Sequence, residues 1–175
     1  TILMASQFIQ LSLALVLAAL YFTGHLSIGS VVLVSFITGL AQSQSAPTYQ
    51  AAGTARNGTG AVTPPWPAHL TDDIALLFVE SAGGQPVTLS TANGFVEVAN
   101  SPQFTGAGAA GTRLTVFWAR ATSAAMAAPI VADPGDHVYA RIITYRGVIN
   151  AGNPWDVTGG GVRAASTVTL SGITT

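Results

Sequence analysis

The chain has 175 residues, of which only 7% are charged and 49% are hydrophobic, and its net charge is −1. This balance argues against intrinsic disorder and provides no positive surface for nucleic acid. The lack of cysteine excludes disulfides, thiolate metal sites and cysteine nucleophiles. Because freely soluble monomers keep more charge on their surfaces, we expect this chain to bind copies of itself, with a membrane as a further partner.

The first 45 residues form an apolar segment, and the first charged residue of the chain is Arg56. Two apolar runs, residues 11–22 and 31–41, are separated by glycine and polar residues at 24–29. They predict either one helix about 60 Å long or a helical hairpin that turns between the runs. A cleaved signal peptide is not favoured, because no positive charge precedes the apolar runs.

A helical segment without charge has to be buried in lipid or against other copies of the chain. We expect it to form the core of a homo-oligomer, in which small side chains let neighbouring helices approach closely. His25 is expected at an interfacial turn rather than in a proton relay. The residues predicted to mediate assembly are Leu11, Ala14, Leu15, Ala18, Ala19, Val31 and Val34.

The sequence changes character after the apolar segment. Residues 46–65 are predicted to be a Gly/Pro-rich linker, and the cluster Pro64-Pro65-Trp66-Pro67 cannot continue a helix. Residues 66–175 are predicted to form a β domain, and Asn93-Gly94 signals a hairpin. Its predicted β runs are residues 74–80, 86–90, 95–99, 114–120, 138–146 and 166–171. The predicted fold class is therefore α+β, with a long apolar helix or helical hairpin followed by an antiparallel sandwich or jelly roll; residues 119–128 are the one helix-prone stretch there.

The sequence GLAQSQSAPTYQA at 39–51, together with the apolar runs before it, resembles part of a major facilitator superfamily transporter. In that family a similar stretch ends one transmembrane helix after a helix–loop–helix pair. The resemblance covers about the first 52 residues. It does not imply transport, because such transporters need about twelve spans. It implies instead that the chain could be a transporter fragment fused to an unrelated β protein.

The β half resembles a group of surface β proteins associated with phage tail fibres, through the sequences NGTGAVTPPWP, LTVFWARATS, DPGDHVYARIITYRGV and NPWDVT. That resemblance implies an exposed β module in an appendage and identifies no active-site residue. The whole layout is similar to that of pilin-type filament subunits, whose apolar helices bundle beneath an outer layer of β domains. It implies a non-enzymatic structural subunit of an extracellular surface filament or fibre. The alternative is a membrane-anchored or phage-tail-like adhesion module that binds glycan.

No catalytic or cofactor site is expected from the sequence. The chain has no G-x-S-x-G elbow, and the glycine run at 159–161 lacks the helix or lysine of a phosphate loop. His137 follows Asp136, but neighbours on a strand face opposite sides, so we expect no acid–base pair. No calcium loop is present, and turn hydrogen bonding is the expected role of the acids Asp72, Asp73, Asp133, Asp136 and Asp156.

Two surface features remain as candidates for binding or modification. Trp66, Trp118 and Trp155 would suit a glycan-stacking platform, although aromatics in such strands and corners are more often core residues. Asn57-Gly58-Thr59 matches the N-glycosylation acceptor pattern and is expected in a flexible, accessible segment.

Overall fold

The computed structural model describes residues 2–25, 27–41, 46–155 and 158–162. The chain divides into two compact units, Thr1–Ser45 and Ala46–Thr175. The first is helical and the second is built from antiparallel strands.

The helical unit contains two helices, α1 (Ile2–Phe22) and α2 (Ile28–Ala41). The alternative of one long helix is wrong, because local hydrogen bonds end α1. Gly24 has φ 72°, and His25 N–H donates to the carbonyl of Leu20 at 2.9 Å, which is a Schellman ending. Ser27 then caps α2: its Oγ accepts from Ser30 N–H at 3.2 Å, and its own N–H donates to Ser30 Oγ at 3.0 Å.

α1 and α2 contact each other, and the buried or partly buried side chains of each lie on one face. On α1 these are Leu13, Leu17 and Leu20, at the four- and three-residue spacing of one helical face. On α2 they are Ser30 and Val34, one turn apart. Within the helical residues whose side chains are described, no stretch is long and apolar enough to cross a membrane.

The strands of the β unit are β1 (Thr48–Ala52), β2 (Arg56–Gly58), β3 (Ile74–Ala82), β4 (Leu89–Thr91), β5 (Val96–Glu97), β6 (Gln103–Thr105), β7 (Thr112–Arg120), β8 (Ile130–Val131) and β9 (Val138–Arg146). They form a large antiparallel sheet in which the strand order is β1–β9–β3–β7–β5. In the same sheet β2 also pairs with β9, and β6 also pairs with β7. A second, two-stranded sheet pairs β4 with β8, and Val62 bridges to Val131 beside it.

One face of the large sheet, here called the inner face, forms the core. Alternate residues of β3, β7 and β9 are buried on it, as the two-residue period of a strand requires. The small sheet and the corner at Trp66 pack against these residues. The buried core residues include Leu77, Val79, Phe117, Ala119, Ala140 and Ile142 from the large sheet, together with Val62, Val87, Phe95 and Val131.

The antiparallel β character predicted for this unit is confirmed, but several boundaries differ. Residues 46–65 are not a plain linker, because β1 and β2 lie there and pair with β9. Asn93 and Gly94 do form a turn with positive φ, yet it joins β4 and β5, which belong to different sheets. Residues 121–128 form no helix. The predicted strand at 166–171 lies outside the described residues.

Gly53 generates a testable prediction about packing between β1 and the Trp66 corner. A Cβ at this position would overlap the carbonyl oxygen of Pro65, and Gly53 N–H already donates to Ile142 O at 2.8 Å. We therefore expect Gly53→Ala to lower the free energy of unfolding by about 1–3 kcal/mol, the usual range for overpacking. Urea denaturation followed by near-UV circular dichroism measures this. Gly60→Ala is the matched control, since a Cβ there meets no atom within 4 Å; equal stability of the two variants would contradict the prediction.

Candidate functional site

A pocket of about 310 Å³ opens at the edge of the large sheet, and we call it the edge pocket. It is lined by Gln50, Ala68, His69, Leu70 and Arg146. The pairing of β1 with β9 shifts register between Tyr49 and Ala51, so Gln50 is the extra residue of a bulge. Bulges redirect side chains next to binding sites, and this one places Gln50 in the pocket lining.

An ion pair with a buried carboxylate and a partly exposed guanidinium lies beside the edge pocket. Asp73 precedes β3 and Arg146 ends β9, and both continue the inward-facing register of their strands. Arg146 Nε donates to Asp73 Oδ1 at 2.7 Å and Nη2 donates to Oδ2 at 2.6 Å. Leu70 N–H adds a third hydrogen bond to Asp73 Oδ2, at 2.8 Å. The Asp73 side chain is 1% exposed, whereas that of Arg146 is 43% exposed.

The partners of Asp73 decide its protonation state. Burial by itself raises the pKa of the Asp73 carboxyl, but the hydrogen bonds from Arg146 and the Leu70 amide outweigh burial and hold the pKa below 3.8. The same carboxylate raises the pKa of Arg146 above its ordinary value. Both groups are therefore charged throughout the neutral range, and two parallel hydrogen bonds join them at the pocket wall.

His69 joins two loops at the other wall. Its Nδ1 lies 2.8 Å from Pro67 O and its Nε2 lies 3.4 Å from Met126 N. Both contacts are hydrogen bonds only if Nδ1 carries the proton and Nε2 accepts. The ring also packs on Trp66, with centroids 4.4 Å apart. His69 thus has a structural role, and neither ring nitrogen is free to act as a base.

A second cavity, of about 470 Å³, lies on the opposite, outer face of the sheet, and we call it the outer groove. Its floor includes Phe78, Leu114 and Val116. Asn100 Nδ2 holds the chain above it by donating to Thr158 O at 2.9 Å and to Thr158 Oγ1 at 2.8 Å. A Cβ at Gly160 would overlap the Gln103 side-chain amide. Because Gln103 is flexible and its side chain can shift, this contact does not by itself require glycine at position 160.

The three tryptophans do not form one glycan platform. Trp118 and Trp155 lie on the outer face in an edge-to-face pair, with centroids 5.2 Å apart. Trp66 packs against the core on the inner side, where it contacts His69 and Phe95 and its Nε1 donates to Ala127 O at 3.1 Å. The sequence could not separate the two groups, because the face that a corner tryptophan takes depends on the loop that carries it.

The prediction that Asp136 and His137 cannot pair is wrong. Asp136 Oδ1 lies 2.9 Å from His137 Nδ1 and accepts from His137 N–H at 2.7 Å. The two residues lie in a turn just before β9, so the alternation of a strand does not separate them. The hydrogen bonds from His137 lower the pKa of Asp136. The His137 side chain is 76% exposed, and among the described residues no hydroxyl is hydrogen-bonded to its ring.

The structure also describes Asp133 and the glycosylation motif at Asn57. Asp133 Oδ1 accepts from Gly135 N–H at 2.8 Å, as expected of a turn acid, and Asp156 lies outside the described residues. Within the described ranges, no three His, Cys, Asp or Glu side chains group as metal ligands. Asn57 is exposed, but in β2 opposite Tyr139 rather than in a flexible segment.

The predicted assembly residues fall into two sets. Val34 is buried within the helical unit, so it stabilises the contact between α1 and α2. His25 is exposed in the turn between the helices, where its Nδ1 lies 2.9 Å from Thr23 O. The exposed assembly residues are Leu11, Ala14, Leu15, Ala18, Ala19 and Val31.

No protein-family model, curated protein or solved structure gives a significant match to this chain. We therefore infer function from the residues and their geometry. Sequence reasoning missed the edge pocket, although an aspartate directly before the most apolar strand was a signal for a buried carboxylate.

The Asp73–Arg146 pair predicts how stability depends on pH. Because folding lowers the pKa of Asp73, its contribution is fully present above pH 3.8, the ordinary value, and is lost as the pH falls through the lower folded value. Asp73→Asn should lower the unfolding free energy at pH 7 by about 1–3 kcal/mol, the worth of hydrogen bonds to a charged group. Asp72→Asn is the control, because Asp72 is exposed. Urea unfolding at pH 7 and pH 3 measures both, and an equal loss in the two variants would contradict the assignment.

Proposed function

We propose that the protein is a non-enzymatic structural subunit of an extracellular surface filament or fibre. In this proposal the helical unit packs against helical units of other copies, and the β unit presents its surface outward. The main observation that supports this proposal is the apolar surface of the helical unit. The chain has no charged residue before Arg56, and most described side chains of α1 and α2 are exposed.

The exposed side chains include large hydrophobic ones, whose contact with water is unfavourable. Leu11 is 59% exposed and Leu15 is 63% exposed, and Phe36 and Ile28 are exposed as well. Burying one such side chain contributes about 1.5–3 kcal/mol. Because the hairpin itself buries only Val34 among its described side chains, another apolar surface is needed to cover the rest.

Small side chains favour other helices as that surface. Ala14 and Ala18 are exposed one turn apart on α1, and Ala19 is exposed beside them. Alanine at this spacing lets two helix backbones approach closely, as it does in helix pairs within membranes. The same exposed surface would suit lipid, so membrane association is the alternative localisation.

The edges of the large sheet are poorly suited to pairing with strands of another copy, so we propose that copies contact each other through their helices. β1 carries a bulge at one edge of the large sheet, and β5 and β6 at the other edge have two and three residues. Short and bulged edges discourage further strands from pairing. We propose that the two sheets form a sandwich of the jelly-roll or related type.

The resemblances to pilin-type subunits and to phage tail-fibre-associated β proteins agree with this proposal and remain hypotheses. The division into two compact units also fits the alternative of a transporter fragment fused to a β protein. Regular fibres in electron micrographs of the purified chain would favour the structural subunit, whereas irregular aggregates would favour the fusion.

Leu15→Asp tests the proposal directly. In an assembled helix bundle the new carboxylate would be buried without a partner, which typically costs about 3–5 kcal/mol. We expect the variant to lose sedimentable fibres while far-UV circular dichroism still shows the β unit. Ile149→Asp is the matched control, because Ile149 is an exposed large apolar residue of the β unit. Fibres that form equally in both variants would overturn the proposal, as would a wild-type chain that is monomeric in buffer and binds vesicles.

A further inference from the structure

We propose that the edge pocket binds the carboxylate of a small hydroxylated acid, of the kind that an acidic sugar presents. The inference does not depend on filament formation, because every residue that carries it belongs to the β unit.

Arg146 offers a fixed pair of donors. Its Nε and one N–H of Nη2 are used by Asp73. The geometry of a guanidinium leaves a second edge, formed by Nη1 and the other N–H of Nη2, and Nη1 has no hydrogen-bond partner among the described residues. The side chain lines the pocket and is 43% exposed, and we place the ligand against this second edge. Two parallel donors in one plane match a carboxylate bidentately.

Asp73 orients Arg146 and also sets the charge of the site. It is buried and ionised, so the ion pair has no net charge, and both ring nitrogens of His69 already contact backbone atoms of Pro67 and Met126. A site of this kind can hold a singly charged carboxylate by hydrogen bonds. A phosphate dianion would need positive charge that the lining does not provide. The charge of the site therefore favours a carboxylate over a phosphate as the bound group.

The remaining lining suits a hydroxylated carbon skeleton. Gln50 Nε2 donates to Thr48 Oγ1 at 3.0 Å, which leaves its side-chain oxygen to accept from a ligand hydroxyl. Leu70 is 53% exposed and offers an apolar surface to carbon atoms. The volume of about 310 Å³ lies at the lower end for ligand pockets, which favours a small molecule. Trp66 cannot serve as a stacking platform, because His69 and Phe95 already pack against its ring.

Saturation-transfer difference NMR on the full chain, with D-glucuronate as the probe, tests the proposal. We expect glucuronate to bind at least tenfold more tightly than D-glucose, which has the hydroxyls without the carboxylate. Acetate, which has the carboxylate without the hydroxyls, should bind more weakly than glucuronate. Equal binding of glucuronate and glucose would overturn the carboxylate assignment, and so would displacement of glucuronate by an equal concentration of inorganic phosphate. Equal binding of acetate and glucuronate would overturn the sugar assignment.

Two variants at Leu70 that are similar in size and differ in charge locate the site without substituting Asp73 or Arg146. Leu70→Asp and Leu70→Asn both remove the apolar surface of Leu70, but only Leu70→Asp adds a negative charge at the pocket, so it should weaken glucuronate binding at least tenfold more than Leu70→Asn does. Arg146→Lys should also weaken binding at least tenfold, and Arg113→Lys, whose arginine donates to Gly84 O instead, should not. Circular dichroism checks that each variant is folded. If Leu70→Asp and Leu70→Asn bind glucuronate equally, the edge pocket is not the site.

Discussion

The pairing of β3 with both β7 and β9 is the constraint on which the β unit depends. All nine residues of β3 pair with β7, and eight of them also pair with β9. This double pairing leaves no edge on β3, and it fixes which residues of the three strands face inward. Asp73 and Arg146 lie at the ends of β3 and β9 and continue the same inward-facing alternation. The pairing of these strands therefore also positions the ion pair and the edge pocket.

The sequence predicted the long strands well because their signal is local. Residues 74–80, 114–120 and 138–146 combine apolar and β-branched residues over a length typical of strands, and all three are strands. The short strands could not be located as well. β1 and β2 lie in a Gly-rich segment with weak β propensity, and their partner β9 is about ninety residues away in sequence. Tertiary pairing, which a local pattern does not report, determines these two strands.

The candidate site was less predictable than the fold. Asp73 looked like one turn acid among five, and nothing nearby in sequence identified Arg146 as its partner, 73 residues away. Asp136 and His137 show the converse error, since a rule that holds within strands was applied to a turn. In the helical unit the apolar composition predicted helices, but the choice between one helix and two depended on Gly24 and on the reciprocal caps of Ser27 and Ser30.

Those caps have a consequence for folding during synthesis. The bend between α1 and α2 is encoded by a few neighbouring residues, so the hairpin has low contact order and forms on the microsecond scale of helices. The β unit has the opposite character, because β1 must wait for β9, and Thr48 bonds to Arg146 across 98 residues. At ribosomal rates this interval lasts on the order of ten seconds. During that time all residues of the apolar hairpin have been synthesised, whereas β9, with which β1 and β2 must pair, has not.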